Sequence, residues 1–100
     1  MARVIWTEPA LNDLDEIADY IAVDKPLAAR LLVQKIFKKA ELLRKFPQLG
    51  TIPPELKEFP YRQLVIPPCR IFYRIDKKTV YMVAVIRGER TLRRDLLDRP

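Results

Sequence analysis

Cys69-Arg70-Ile71-Phe72-Tyr73-Arg74-Ile75-Asp76-Lys77-Lys78-Thr79-Val80-Tyr81-Met82-Val83-Ala84-Val85-Ile86-Arg87 is the stretch on which the fold turns. Two β-rich runs flank Lys77-Lys78, the spacing of a hairpin closed by a two-residue loop. The period of two sends Ile71, Tyr73 and Ile75 to one face of the first run, and Arg70, Phe72 and Arg74 to the other. Gly88 ends the second run. Just upstream, Tyr61 to Ile66 reads as a third strand, stopped by Pro67-Pro68. The last sheet strands are therefore expected at 61–66, 69–76 and 79–87.

Working toward the N-terminus, Pro47, Pro53, Pro54 and Pro60 mark residues 47–60 as an ordered loop, with one short turn near Glu55-Leu56-Lys57. Before it, Ala28, Leu32, Ile36, Leu43 and Phe46, joined by Leu31, Ala40 and Leu42, predict a helix over about 27–45 with lysines and arginines on its remainder. Residues 8–22 predict an earlier helix. Thr7 is its N-cap, Glu8 and Pro9 suit its first turn, and Leu11, Leu14, Ile17, Ala18 and Ile21 form its apolar stripe. Its acids are expected to be solvated. Asp24 is the candidate cap of the second helix, and the few residues between the two predict an antiparallel helical hairpin. Residues 2–6 read as a short strand. Trp6 and Tyr20 are expected in core or hairpin packing, and Cys69 as a small buried hydrophobe beside Ile71.

The expected order is thus β-α-α-β-β-β, an α+β fold. Its N-terminal strand and antiparallel helical hairpin pack on a small twisted, mainly antiparallel sheet, because the hairpin must bury its stripe on the sheet's apolar face. One hundred residues suit one domain, 1–100, with 88–100 as a short helical or flexible tail.

Composition narrows the chemistry. The chain has one cysteine, Cys69, and no histidine. That disfavours most metal sites and removes triads built on histidine, so no cofactor is expected. No apolar run approaches the ~20 residues of a membrane span, and no secretory leader is evident, so the expected location is cytoplasmic without a membrane partner. The net charge is +6. Residues 1–24 hold Arg3 against Glu8, Asp13, Asp15, Glu16, Asp19 and Asp24, a balance of −5, so the remainder carries +11. A basic body behind an acidic first helix fits a polyanionic or acidic partner, or serves solubility.

Several patterns together resemble one known group. They are Trp6, Ala10, Asp13-Leu14, Ile17, Tyr20-Ile21 and Pro26-Ala28-Ala29 in the hairpin, Phe46-Pro47-Gln48-Leu49-Gly50 after it, then Tyr61-Arg62-Gln63-Leu64, Cys69 to Ile75 and Val80 to Ile86. In this order and spacing the chain resembles the RelE/ParE toxin superfamily, on its ParE-like branch. The resemblance implies the toxin of a type II toxin–antitoxin system, held inactive by a cognate antitoxin that folds as it binds an exposed sheet edge and a basic, aromatic surface. ParE-like members inhibit DNA gyrase; RelE-like members cleave mRNA on the ribosome. The fold serves both.

Cleavage by 2′-hydroxyl attack needs proton transfer as well as phosphate stabilisation. The resemblance to RelE-like enzymes implies Arg70 and Arg90 as the catalytic arginines. The position of their C-terminal tyrosine falls on Leu96, and no tyrosine follows Tyr81. Arginine binds phosphate well but is a poor acid or base. Tyr61, Tyr73, Tyr81, Lys57 and Glu58 remain the substitutes. The expected function is therefore gyrase inhibition by binding, with mRNA cleavage as the second reading and a non-toxic basic binding module as the third. The expected contact residues for target or antitoxin are Arg62, Arg70, Phe72, Arg74, Arg87 and Arg90, with the helical hairpin itself as the other candidate surface toward gyrase or its DNA. Arg93 and Arg94 read as a solvated tail.

Overall fold

A computed structural model describes the chain except for Glu89, Thr91 and Pro100, and for Arg94 it describes the backbone only. The elements run β1 (Arg3–Trp6), α1 (Glu8–Ala22), α2 (Pro26–Glu41), β2 (Tyr61–Ile66), β3 (Cys69–Asp76) and β4 (Thr79–Arg87), with 3-10 turns at Leu42–Arg44, Pro54–Leu56 and Arg94–Leu96. The sheet order is β1-β4-β3-β2. β1 lies parallel to β4, and the other two pairings are antiparallel. The parallel pair is accessible because the whole helical hairpin and β2–β3 intervene as a crossover. The expected α+β fold and strand ranges hold.

Local chemistry accounts for the element ends. The Thr7 hydroxyl accepts from the Ala10 amide at 3.3 Å and donates to the Met82 carbonyl at 2.8 Å, so one side chain caps α1 and ties its start to β4. α2 starts differently from expectation. Its cap residue is Lys25, which makes no side-chain capping bond, and Pro26 opens the helix. Pro26 lacks the amide that Asp24 would otherwise cap and sets φ for the first turn. Lys77, at φ 56°, supplies the left-handed residue of the β3–β4 turn.

The sheet is covered on both faces. On the helix side, Leu64, Ile66, Cys69, Ile71, Tyr73, Val80, Met82 and Val85 meet Ala10, Leu14, Leu32, Ile36, Ala40 and Leu43. The buried line of α2 is Ala29, Leu32, Ile36 and Ala40, continued by Leu43 in the 3-10 turn after it. Ala28, Leu31, Leu42 and Phe46 are exposed, contrary to the expected stripe, and so is Leu11 on α1. The physical cause is rotation. A helix buries about one third of its circumference, and α2 turns Ala29 rather than Ala28 to the sheet, carrying Leu31 and Leu42 outward.

On the opposite face, Phe72, Val83, Ala84 and Ile86 are buried under Leu56, Leu92 and Leu97. A bulge at Phe72/Tyr73 makes this possible: Phe72 pairs with Ala84 and Tyr73 with Met82, leaving Val83 as the extra residue. Val83 and Ala84 thereby both join the second cluster. Residues 92–99 lie across this face, with Leu92 and Leu97 buried.

Candidate functional site

The six arginine and aromatic positions singled out by sequence fall in three separate places. Arg62, on the outer strand β2, donates to the carbonyls of Gly50 at 2.8 Å and Gln48 at 3.4 Å. It clamps the loop after α2, beside Tyr73, whose hydroxyl donates to the Pro47 carbonyl at 2.7 Å and accepts from the Gly50 amide at 2.8 Å. Burial pushes the Tyr73 hydroxyl's pKa up. Tyr73 is thus enclosed and spoken for at both its donor and its acceptor.

The second place is the sheet face beneath the tail. Arg70 is gripped there from all sides. Its Nη1 and Nη2 reach both carboxylate oxygens of Glu55 at 2.9 and 2.8 Å, and its Nε donates to Gln63 Oε1 at 2.8 Å. The guanidinium lies 5.0 Å from the centre of the Phe72 ring. Only 15% of the Arg70 side chain is exposed. This is the bidentate geometry that an arginine otherwise offers a phosphate, filled from within the chain. The hydrogen bond from Arg70 holds the Glu55 carboxyl below the usual carboxylate range. Phe72 itself is fully buried and offers no surface in this arrangement. Arg74 lies over the Tyr81 ring at 4.3 Å and reaches Asp76 at 4.0 Å.

The third place is a groove of about 880 Å³ between α1 and the far end of β4, lined by Glu16, Tyr20, Arg87, Arg90 and Arg99 among others. It exists because β1 pairs with β4 only from Thr79 to Met82. Past that point the edge of β4 faces α1. The Val85 amide donates to Asp13 Oδ2 at 3.0 Å, and Arg99 closes on the same carboxylate with bonds of 2.8 and 2.6 Å. Asp13 is therefore not a solvated acid of α1, as sequence had it, but a connector of helix, sheet and tail. Tyr20 also departs from expectation. It is 67% exposed, and Arg87 stacks over its ring at 5.1 Å. Arg90 is exposed at the rim. A second groove of about 1070 Å³, apolar and edged by Lys25, Lys35 and Arg87, lies beyond Tyr20 between the hairpin turn and Pro67-Pro68.

Sequence reasoning did not find Glu55, Asp13 or Arg99. Each partners a residue far away along the chain, and nothing local to it marks that partner. Among the described residues, no group of three or more His, Cys, Asp or Glu is gathered as a metal site.

A four-stranded mixed sheet carrying a two-helix hairpin on one face matches the fold of the RelE/ParE toxins. The family model described as the ParE toxin of type II toxin–antitoxin systems, parDE, matches residues 4–92, and the chain belongs to this family. Among relatives, Toxin RelE2 of Caulobacter vibrioides is 36% identical over 86 residues, covering 85% of this chain and 93% of that protein. The putative toxin Y4kP of Sinorhizobium fredii is 39% identical over 77 residues, covering 75% of this chain and 77% of its own. A solved chain of the chromosomal ParDE toxin–antitoxin system from P. aeruginosa superimposes with a TM-score of 0.76 at 27% identity, over 89% of this chain and 98% of that one. The chain is accordingly a type II toxin, with a cognate antitoxin as its partner. No helix among the described residues is long and apolar enough to cross a membrane.

Proposed function

We propose that this toxin arrests growth in the cytoplasm by binding DNA gyrase rather than by cutting RNA. The observation that carries this reading is the occupation of Arg70. Its fork is filled by Glu55 and Gln63, so the arginine that the RelE resemblance would make catalytic is committed within the chain. Proton handling argues the same way. Tyr73 is enclosed by Pro47 and Gly50, and Glu55, held as an anion with both oxygens engaged, is a weak base. ParE membership is consistent with gyrase as the target.

The test exposes gyrase with relaxed plasmid, and in parallel ribosomes translating a defined mRNA, to the purified protein. Loss of supercoiling with intact mRNA is the expected result. Codon-positioned mRNA cuts with normal supercoiling would overturn it. The second reading, RNA cleavage, draws on Arg87 and Arg90 sharing one groove, where two guanidinium groups suit a phosphate. Under it, Arg90→Ala abolishes cleavage and leaves the fold intact.

For the antitoxin, the reading that fits best is an acidic amphipathic segment against the Arg87 and Arg90 groove, which the end of β4 beyond its pairing with β1 helps to line. Capture of the cognate antitoxin by wild type but not by Arg87→Glu/Arg90→Glu supports this location.

A further inference from the structure

Much of the positive charge of the chain is concentrated on α2 and the turn after it, away from the Arg87 and Arg90 groove. Residues 25–45 contain seven cations (Lys25, Arg30, Lys35, Lys38, Lys39, Arg44 and Lys45) and one anion, Glu41. That local +6 equals the net charge of the whole chain. The one acid is itself taken, since Glu41 is hydrogen-bonded to Arg44. Arg30, Lys35, Lys38, Lys39 and Lys45 are exposed, and among the described residues none of the five is in an ion pair. The acids of the neighbouring α1 do not neutralise them, although the two helices pack side by side.

We propose that the outer face of α2 and the turn after it bind the phosphate backbone of duplex DNA, without regard to sequence. Burial of Ala29, Leu32, Ile36, Ala40 and Leu43 against the sheet fixes the opposite side of the helix outward. From Arg30 to Lys45 the cations extend about 22 Å at 1.5 Å per residue, spread around the exposed half of the helix rather than along one line. A duplex presents a phosphate on each strand about every 3.4 Å along its axis, so this row lies alongside roughly six base pairs. A single strand is held by successive bases stacked on several rings, whereas here Phe37 is engaged edge-on with Trp6 at 4.8 Å and Phe46 is the one other ring in residues 25–46, which favours a duplex. Leu27 and Leu31 near the start of α2 and Leu42 and Phe46 past its end are exposed as well, so the occupant is chosen here by charge: five exposed cations match a polyanion.

This inference goes beyond the gyrase reading and does not rest on it, because it is measured on DNA alone. The experiment is fluorescence anisotropy of a labelled 20-base-pair duplex of arbitrary sequence titrated with the full chain at 50 and 200 mM salt. Three proteins are compared: wild type; the row variant Lys35→Gln/Lys38→Gln/Lys39→Gln/Lys45→Gln; and a control losing equal charge elsewhere, Arg3→Gln/Lys57→Gln/Lys77→Gln/Lys78→Gln. A thermal melt of each checks the fold. Wild type is expected to bind at 50 mM salt and to lose about 100-fold in affinity by 200 mM, the slope of about four phosphate contacts. The row variant is expected to lose at least tenfold at 50 mM with a flatter salt dependence, and the control to lose less than threefold. Failure of wild type to bind overturns the proposal, as does equal weakening of both variants, which would reduce the effect to net charge. A row variant that binds DNA like wild type but no longer captures the antitoxin also overturns it and makes the row a protein-binding surface.

Discussion

Asp13 and Arg99 are joined by two hydrogen bonds of 2.8 and 2.6 Å across 86 positions of sequence, and the same aspartate accepts the Val85 amide at 3.0 Å. One carboxylate therefore holds the tail to α1 and caps the β4 edge that β1 leaves unpaired. The Arg99 side chain is 27% exposed and that of Asp13 17%, so the pair is shielded rather than on the open surface. Its strongest hydrogen-bond partner, Asp13, raises the Arg99 pKa further, and the guanidinium stays charged at every pH of interest. Asp13→Ala leaves both the Val85 amide and Arg99 without this acceptor and is expected to destabilise by about 1–3 kcal/mol. Arg99→Ala, which leaves the amide satisfied, is expected to cost less, about 0.5–1.5 kcal/mol. Urea denaturation of both variants checks the order. A larger loss for Arg99→Ala would contradict the connector role of Asp13.

Tyr73 anchors the loop after α2 in the same manner. Tyr73→Phe keeps the ring and strands the buried Gly50 amide and the Pro47 carbonyl, a loss of about 1–3 kcal/mol. Gly50 admits no side chain. A Cβ there would lie 2.5 Å from the Gln63 carbonyl oxygen and 2.7 Å from the Tyr73 hydroxyl, so Gly50→Ala is expected to destabilise at least as much. The pH dependence carries a signature. Burial raises the folded-state pKa of Tyr73, so its contribution is complete below the ordinary tyrosine pKa and fades as pH rises through the folded value. Wild type should therefore lose stability above about pH 10, and Tyr73→Phe should lose less over the same range.

The Glu55–Arg70 pair has the opposite dependence. The hydrogen bond from Arg70 lowers the folded-state pKa of Glu55, so the contribution is present above the ordinary carboxylate pKa and is lost as pH falls through the folded value. The Glu55 side chain is 37% exposed, and screening keeps the effect below about 1 kcal/mol. Melting curves between pH 7 and pH 3 should show a steeper fall for wild type than for Glu55→Gln. Parallel curves would mean the pair contributes nothing to folding. Glu55→Gln also frees the Arg70 fork, so RNA cleavage gained by that variant would argue that Glu55 is what withholds the activity.

Cys69 is 1% exposed within the helix-side core. Its thiol is expected to resist an aromatic disulfide reagent in the folded protein and to react at once in denaturant. Reaction at comparable rates in both states would place Cys69 outside the core.

Periodicity and punctuation carried much of the fold. The alternation from Cys69 to Ile75, the two residues at Lys77-Lys78 and the breaks at Pro67-Pro68 and Gly88 set strand ranges that the structure keeps, because strand period and turn chemistry are local properties. The Thr7 cap and the start of α1 were legible for the same reason. The rotation of α2 was not. Its apolar residues exceed what one face can bury, and contact with the sheet selects Ala29 over Ala28.

The basic residues were visible in the sequence as candidates, and the resemblance of their motifs pointed to a toxin. Their roles were decided in three dimensions. Arg62 turned to a loop, Arg70 to Glu55 and Gln63, and Arg74 to Tyr81, while Arg87 and Arg90 came to a groove beside α1. Burial of Phe72 likewise depends on Leu92 and Leu97, which arrive from the end of the chain. The physical reason is range. A strand or helix is specified by neighbours a few residues away, whereas the state of a charge depends on which opposite charge or ring the fold brings within about 5 Å, and only the tertiary structure chooses that partner.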